Sequence, residues 1–395
     1  MISKISKYIV LTIVLTTTNC SSEETFKEDF YACTTTNDIN SNLHPKAALF
    51  QSILDQNQKL NVVGAVLWVE DQDGVWLGAS GYADIASDIK MKPCNTFMIA
   101  SISKVFTAVA VYKYIDRGWL SFNDTISQYL PPDIVEEVAN IEGTKISDLL
   151  GHKSGIPDFY TTPFDLDRIN DSQHWDKYDV LEYVYGLDGE FPSGTSYSYS
   201  NTNYLLLSII LERITQKSLE QIYNEDIFLP LNLQSAYYSE SKPLPDGVVK
   251  GYADIYGNGH FVYSDFLYRE ELGIGGDGGI ASNAQDLALF LKTLATDNFI
   301  SDTSFANMTD WFDLPLSQQD LDDPVVIKNG YGLERVESLY GFGFGHTGGI
   351  DGFNTFAFYY PETDVTYVLL LNSVTAAGTN APANIQTEIL DAIHN

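Results

Sequence analysis

The strongest constraint on the fold comes from two β-hairpin patterns that lie at opposite ends of the chain. In each pattern, two runs rich in β-branched and aromatic residues are joined by a short stretch of turn residues. The four predicted strands are residues 62–70, 75–83, 354–360 and 364–372. Helical periodicity flanks the hairpins at residues 47–60 and 383–393. We therefore predict an α+β fold in which both ends of the chain build one antiparallel sheet, flanked by N- and C-terminal helices.

The remaining segments divide the chain into a leader, a tether and one folded domain. Residues 1–19 combine a basic start with an apolar run too short to span a bilayer, which is typical of a signal peptide. Residues 20–44 are polar and poor in aliphatic side chains, so we interpret them as a tether. The folded domain spans residues 45–395, and its turn-rich segment at about 115–275 is predicted to form a mostly helical insertion lobe.

The three cysteines bear on where the protein resides. Cys20 follows the apolar run and precedes an acidic, serine-bearing segment, which resembles a bacterial lipoprotein start. We expect a lipid on Cys20 and a location in the cell envelope, with a periplasmic or secreted protein as the alternative. Export would place Cys33 and Cys94 in an oxidising compartment, where they either form a disulfide or remain two unrelated thiols.

The charge of the chain excludes several kinds of partner. It carries 53 Asp and Glu residues against 22 Lys and Arg, a formal net charge of −31. Such a surface repels nucleic acid and anionic lipid. We therefore expect no nucleic-acid partner, and membrane contact only through an N-terminal lipid anchor. The histidines follow no metal-ligand spacing, and the glycine-rich residues 273–279 lack the ending of a phosphate loop, so no metal or cofactor is expected.

Ser101 and Lys104 carry side chains that can act in catalysis. Both lie in an apolar stretch that we predict to be helical from residue 97 to residue 114. A spacing of three puts both side chains on one helical face. A serine hydroxyl needs a neighbouring base, and a lysine desolvated by apolar surroundings can accept its proton. The same spacing recurs at Ser87 and Ser239, but only the run at Ser101 is predicted to open a helix.

Two further motifs follow in order, Tyr199-Ser200-Asn201 and His346-Thr347-Gly348-Gly349. Together with Ser-x-x-Lys they resemble the three active-site elements of the penicillin-recognising serine hydrolases, the family of class C β-lactamases and DD-carboxypeptidases. Flanking segments are also similar to that family, at residues 97–100, 148–157, 191–194 and 278–287. The resemblance runs from about residue 45 to the C-terminus. It implies a β-lactamase/transpeptidase-like fold with the site between the sheet and the helical lobe.

The resemblance implies a catalytic role for the residues of the first two motifs. Ser101 would be acylated, and Lys104 would accept its proton. Tyr199 would pass a proton to the leaving group and activate the water that releases the acyl group. Asn201 would hold the substrate amide and Lys104. His152 lies in one of the flanking segments, and we interpret it as a structural histidine.

The third motif is implied to bind substrate at the start of a strand that lines the cleft. Its residues are His346, Thr347, Gly348 and Gly349. The backbone N–H groups of Ser101 and Gly349 would form the oxyanion hole, where glycine permits close backbone approach. Many β-lactamases carry lysine where this chain has His346, whereas histidine resembles certain DD-carboxypeptidases and D-peptidases. Gly349 stands where some DD-peptidases carry a threonine that bonds the substrate carboxylate.

These observations predict an exported serine hydrolase that acts through an acyl-enzyme. Because the histidine-bearing motif resembles that of DD-carboxypeptidases, the favoured activity is a D-alanyl-D-alanine carboxypeptidase-type peptidase on a small peptide or peptidoglycan-derived substrate. An esterase, a D-amino-acid peptidase or a β-lactamase on the same scaffold is the enzymatic alternative. A catalytically silent surface lipoprotein that binds peptidoglycan is the alternative of another class, and the intact motifs argue against it.

Overall fold

A computed structural model describes the chain from residue 41 onward, with internal gaps. The described residues are 41–57, 62–170, 175–240, 244–245, 247–256, 258–264, 274–318, 325–375 and 381–395. The predicted signal peptide, Cys20 and most of the predicted tether lie outside them. Cys94 is disulfide-bonded, and the other two cysteines of the sequence, Cys20 and Cys33, both fall outside the described ranges. No helix within these ranges is long and apolar enough to cross a membrane.

The strands follow the alternating and apolar runs of the sequence. They are β1 (Gly64–Asp71), β2 (Gly74–Asp84), β3 (Ile89–Lys90), β4 (Phe97–Met98), β5 (Tyr252–Asp254), β6 (Val262–Tyr263), β7 (Ala281–Ser282), β8 (Phe312–Asp313), β9 (Val325–Asn329), β10 (Glu334–Ser338), β11 (Gly341–Ile350), β12 (Phe353–Tyr360), β13 (Val365–Leu371) and β14 (Ser373–Thr375). In the described ranges, nine of them form an antiparallel sheet in the order β3-β2-β1-β13-β12-β11-β10-β9-β8.

The two ends of the chain meet at the centre of this sheet. β1 pairs with β13, with Ala65 opposite Leu371 and Glu70 opposite Thr366. Each of these two strands also pairs with the other member of its own hairpin, β2 or β12. The prediction of one antiparallel sheet built from both ends is therefore confirmed.

Helices cover both faces of the sheet. They are α1 (Ala47–Asn57), α2 (Ser103–Asp116), α3 (Pro132–Glu137), α4 (Ile146–Leu150), α5 (Thr162–Asn170), α6 (Lys177–Leu181), α7 (Asn201–Thr215), α8 (Leu219–Tyr223), α9 (Leu229–Leu231), α10 (Ala284–Thr296), α11 (Asp302–Met308) and α12 (Ala381–His394). The predicted flanking helices are α1 and α12. The lobe predicted at about 115–275 contains α3 to α9 together with the short strands β5 and β6.

The apolar core is split by the sheet into two clusters because side chains alternate along each strand. On β1, Val66 and Trp68 belong to the cluster that contains α2, α7 and α10. Leu67 and Val69 belong to the cluster that contains α1 and α12. The protein thus has three layers, and α2, which begins beside Ser101, packs in the same cluster as α7 of the lobe and α10.

The predicted boundaries need two corrections near the motifs. Phe97 and Met98 form strand β4, which pairs with β7, instead of the first turn of a helix. The helix cannot continue back through Ala100, whose φ of 49° is left-handed. The motif at residues 346–349 lies in the second half of β11, whereas we predicted the start of a strand.

Candidate active site

Ser101 lies at a sharp turn between β4 and α2. A 3₁₀ turn at Ala100–Ile102 carries it, and the α-helix proper begins at Ser103. The Ser103 hydroxyl accepts a hydrogen bond from the Ile280 N–H at 3.2 Å, which ties the helix start to the neighbouring loop. The left-handed backbone at Ala100 turns the chain abruptly, so that Ser101 lines a cavity instead of being covered by the helix.

Lys104 occupies the next turn and is fully buried. Its Nζ donates to the Ser101 Oγ at 3.1 Å, to the Asn201 Oδ1 at 2.7 Å and to the backbone carbonyl of Asp277 at 2.6 Å. These three acceptors match the three donors of an ammonium group. When Lys104 is neutral, its lone pair takes the place of one donor and can accept the Ser101 proton. The structure thus brings together Ser101, Lys104 and Asn201, which the sequence analysis named.

Tyr199 lies over the same lysine. Lys104 Nζ is 5.1 Å from the centroid of the Tyr199 ring, and the phenol interacts with the Ser101 hydroxyl. Burial raises the pKa of Tyr199 well above its usual value. The phenol therefore keeps its proton at neutral pH and is placed to donate it to a group bonded at Ser101.

His152 holds the Tyr199 ring in position. The two rings stack with centroids 4.3 Å apart and planes 27° apart. The Nδ1 of His152 accepts a hydrogen bond from the Ser200 N–H at 3.2 Å and lies 3.2 Å from the Asn203 amide nitrogen. Burial, reinforced by the charge of Lys104, lowers the pKa of His152 well below 6.5, so the ring is neutral. Its contacts are those of a packing residue.

Carboxylates near Lys104 oppose the effect of burial on its pKa. Burial lowers the pKa of Lys104 from 10.5 to about 8, while the charges of Asp277, Asp158 and Glu334 raise it. Burial also raises the pKa of Asp158, and raises that of Asp277 to about 6. A lysine with a pKa near 8 is neutral often enough at neutral pH to act as a general base.

The strand β11 passes directly over the turn that carries Ser101. A Cβ on Gly348 would lie 2.5 Å from the carbonyl oxygen of Ile99 and 2.2 Å from the Thr355 hydroxyl. Only glycine therefore allows the strand to come this close. A Cβ on Gly349 would meet nothing nearer than Asn354 at 3.8 Å. The close approach of the backbone therefore requires glycine at residue 348, and not at residue 349 as the sequence analysis had proposed.

Beyond its pairing with β10, the strand β11 directs the N–H groups of Thr347 and Gly349 to the same edge. Pairing with β10 ends at Gly345 opposite Glu334, and the Thr347 N–H then donates to the Glu334 carboxylate at 2.7 Å. Because successive N–H groups of a strand point to opposite edges, the Gly349 N–H lies on the same edge as that of Thr347. Gly349 lines the cavity together with Ser101. The two N–H groups implied for the oxyanion hole thus belong to residues on the wall of one cavity.

Glu334 engages the polar groups of the third motif. Besides the Thr347 N–H, its carboxylate accepts from the Thr347 hydroxyl at 3.2 Å and lies 3.6 Å from the Nδ1 of His346. That Nδ1 also lies 2.5 Å from the Thr347 carbonyl oxygen, which can only accept, so the Nδ1 carries a proton. Burial lowers the pKa of His346, although Glu334 raises it. His346 is therefore mainly uncharged at neutral pH.

The cavity in front of Ser101 has a volume of about 490 Å³, which is within the range of small-molecule sites. Its described wall consists of Ala100, Ser101, Tyr160, Tyr199, Asn201, Asp277, Gly278, Gly349, Ile350, Asp351 and Val374. Its charged side chains are those of Asp277 and Asp351, and this wall has no lysine or arginine. The part of the cavity that the structure describes is therefore acidic.

Three carboxylates of the site were missed by sequence reasoning. Asp158 directly follows the segment 148–157, and Asp277 lies within the glycine-rich residues 273–279, to which the sequence analysis assigned no role. The sequence could have indicated both residues, because each of them adjoins a segment that resembles the family. Glu334 lies in no motif and comes close only through the pairing of β10 with β11, so no local pattern indicates it.

The acylation rate of Ser101 should depend on pH through Lys104. Only the neutral amine accepts a proton, so we expect the rate of acylation by p-nitrophenyl acetate to rise with pH through about 8, the pKa of Lys104. The negative charge of Glu334 raises that pKa, so Glu334→Gln should move the rise to lower pH. Stopped-flow release of nitrophenol across pH measures both. A rise that stays at the same pH in Glu334→Gln, or that moves equally in Glu337→Gln on the same strand, would contradict this account.

Comparisons with known proteins agree with this geometry. A family model described as Beta-lactamase matches residues 49–390. Penicillin-binding protein 4* of Bacillus subtilis (strain 168) is 28% identical over 352 residues, which cover 82% of this chain and 70% of that protein.

Solved structures share the fold. The D-amino acid amidase from Ochrobactrum anthropi SV3, complexed with L-phenylalanine amide, superposes with a TM-score of 0.77 at 23% identity, covering 88% of this chain and 98% of that chain. A D-stereospecific amidohydrolase from Streptomyces sp. superposes with a TM-score of 0.75 at 20% identity, covering 87% and 98%. At such low identity these structures establish a common architecture and not a common substrate.

Proposed function

The chain belongs to the beta-lactamase family of serine hydrolases, and on that premise we propose that it hydrolyses the amide bond of a D-amino acid amide or short peptide whose leaving group carries no free carboxylate. The single observation that carries the proposal is the position of Glu334 at His346 and Thr347. The D-configuration is supported by the likeness to a D-amino acid amidase and to a D-stereospecific amidohydrolase.

The proposed reaction begins with neutral Lys104, which removes the proton of Ser101 as its Oγ attacks the substrate carbonyl. The developing oxyanion receives hydrogen bonds from the N–H groups of Ser101 and Gly349. Tyr199 transfers a proton to the leaving nitrogen, the C–N bond breaks, and the amine departs. Lys104 then passes the proton taken from Ser101 to Tyr199. Water attacks the ester at Ser101 and gives up a proton to the Tyr199 and Lys104 pair, which returns it to the Ser101 Oγ as the ester C–O bond breaks and the acid departs.

The charge around the third motif argues against a carboxylate in the leaving group. A carboxylate that approached the motif would meet the Glu334 carboxylate, while His346 is mainly neutral and the Thr347 hydroxyl already bonds to Glu334. Placing like charges against each other at a binding site costs several kcal/mol. An uncharged amide or ester group meets no such repulsion.

A D-alanyl-D-alanine carboxypeptidase, the activity favoured by the sequence, is the second candidate. The likeness to penicillin-binding protein 4* supports it. Such an enzyme acts on a peptide that ends in a carboxylate, so the two candidates differ by one charge on the substrate.

A matched pair of substrates separates these candidates. We expect the purified protein to hydrolyse an N-acylated D-alanyl-D-alanine amide with a kcat/KM on the order of 100-fold above that for the corresponding free acid, in line with a few kcal/mol of repulsion. Chromatography of the released D-alanine derivatives measures both rates. L-configured pairs should be poor substrates. A higher kcat/KM for the free acid would assign the protein to the carboxypeptidases instead.

A further inference from the structure

The buried charges around Lys104 do not balance. The carboxylates that act on Lys104 are those of Asp277, Asp158 and Glu334, whereas the nearby His152 and His346 have lowered pKa values and are mainly neutral. Among the described residues of this cluster, Lys104 is thus the single cation against three acids. Excess buried charge of one sign is costly unless hydrogen bonds or a further counter-charge stabilise it.

Hydrogen bonds stabilise two of the three acids. Asp158 accepts from the backbone N–H and the side-chain amide of Asn201, at 3.2 and 3.0 Å, and from the Tyr160 N–H at 3.2 Å. Glu334 accepts from the Thr347 N–H and hydroxyl, at 2.7 and 3.2 Å. Both carboxylates are therefore engaged by the protein itself.

The carboxylate of Asp277 is different. The residue is 9% exposed and lies on the wall of the cavity. Its backbone carbonyl accepts from Lys104, but within the described ranges its carboxylate bonds only to its own backbone N–H. Burial raises the pKa of this carboxyl to about 6, so it is mainly ionised at pH 7. A buried carboxylate of a residue that lines a cavity, with no hydrogen-bond donor from another described residue, lacks the partner that such groups require.

We propose that Asp277 binds the α-ammonium group of the substrate, so that the preferred substrates are amides of D-amino acids or peptides with a free amino terminus. This inference rests on the proposed function, because it concerns the acyl side of the same substrate. The ammonium supplies the counter-charge that the cluster lacks. It also donates to the carboxylate of Asp277, which among the three acids of the cluster is the residue that lines the described cavity wall.

The position of Asp277 fits an α-amino acid. Lys104 Nζ bonds to both the Ser101 Oγ and the Asp277 carbonyl, at 3.1 and 2.6 Å, so the nucleophile and Asp277 flank the same group. An α-amino acid carries its ammonium on the carbon next to the acyl carbon, which Ser101 attacks. Ile350, Val374 and Tyr160 line the rest of the cavity and provide an apolar surface for the side chain of the amino acid.

The test compares D-alanine p-nitroanilide with N-acetyl-D-alanine p-nitroanilide at pH 7, where the free α-amine is mainly protonated. We expect the wild-type protein to prefer the free amine by on the order of 100-fold in kcat/KM, as for the loss of one member of a buried charge pair. In Asp277→Asn the ratio of the two kcat/KM values should fall to within about threefold, whatever the change in each rate. Equal rates on the two substrates in the wild type would overturn the proposal, and so would an unchanged preference in Asp277→Asn.

Asp351→Asn is the matched control, because Asp351 lies on the same wall and carries the same charge. If Asp351→Asn abolishes the preference as completely as Asp277→Asn does, the preference comes from the overall negative charge of the cavity and not from a specific contact with Asp277, and the proposal fails.

If neither anilide is hydrolysed, the proposed function fails, but calorimetry with Ser101→Ala still tests whether Asp277 binds the ammonium group. That variant should bind D-alaninamide more tightly than N-acetyl-D-alaninamide, and Asp277→Asn added to it should remove the difference. Equal affinities would overturn the ammonium site independently of catalysis.

Discussion

Ser101→Ala is expected to lower kcat/KM for the best amide substrate by a factor on the order of 10⁴ to 10⁶. All turnover passes through an ester at this hydroxyl, and alanine has no atom that can form it. The remaining rate comes from binding and from the oxyanion hole. Steady-state kinetics with the p-nitroanilides measure the loss, and peptide mass spectrometry of wild type and variant after incubation with p-nitrophenyl acetate tests for an acetyl group on residue 101.

The control for this variant is Ser87→Ala. Ser87 has the same spacing to a lysine, Lys90, but lies in the turn between β2 and β3. We expect its activity to stay within about twofold of wild type, as for surface substitutions in general. Retained hydrolysis in Ser101→Ala, or an equal loss in Ser87→Ala, would remove Ser101 from the mechanism.

Lys104→Met is expected to cause a loss of the same order. Methionine fills a similar volume, but its thioether sulfur is too weak a base to accept the Ser101 proton. It also leaves Asn201 and the Asp277 carbonyl without their donor. Because the two residues act as one unit, the double variant with Ser101→Ala should be no less active than either single variant. Kinetics of the three variants, with circular dichroism to check folding, test this expectation.

Lys113→Met on the same helix is the control for the lysine. Lys113 lies about two and a half turns further along α2, half-buried, with its Nζ 3.6 Å from the centroid of the Phe299 ring. Its removal should change stability slightly and activity little. If Lys104→Met kept most of its activity, or if the two lysine variants lost activity equally, the base would have to be sought elsewhere.

The sequence was sufficient for those parts of the fold that repeat a local pattern. The hairpins β1–β2 and β12–β13 combine β-rich runs with short turns, and the helices α1 and α12 follow apolar periodicity. The first turn of the predicted helix at residue 97 was wrong because its apolar residues suit a buried strand equally well. Pairing of β4 with β7, a contact across nearly 200 residues, decided between them.

For the active site too, local sequence patterns indicated some residues and not others. Ser101 and Lys104 are close because they share a helical turn, which spacing alone indicates. The motifs at Tyr199 and His346 came from resemblance to a family, since no local rule brings them to Ser101. The acids that set the charge of the cavity, Asp277 and Glu334, act through tertiary contacts, and their effect on a buried lysine becomes visible only once the burial is known.

The pairing of β1 with β13 also determines when the site can form during synthesis. Ser101 and Lys104 lie in the first third of the chain, but the Gly349 N–H comes from β11, and β13, the central partner of β1, begins only at Val365. Contacts between such distant segments form slowly, because the chain must close a long loop before they stabilise it. A chain still emerging from the ribosome therefore carries its nucleophile for many residues without an oxyanion hole or a closed sheet. The protein can become an active hydrolase only late in synthesis, after β11 and β13 have joined the sheet that contains β1.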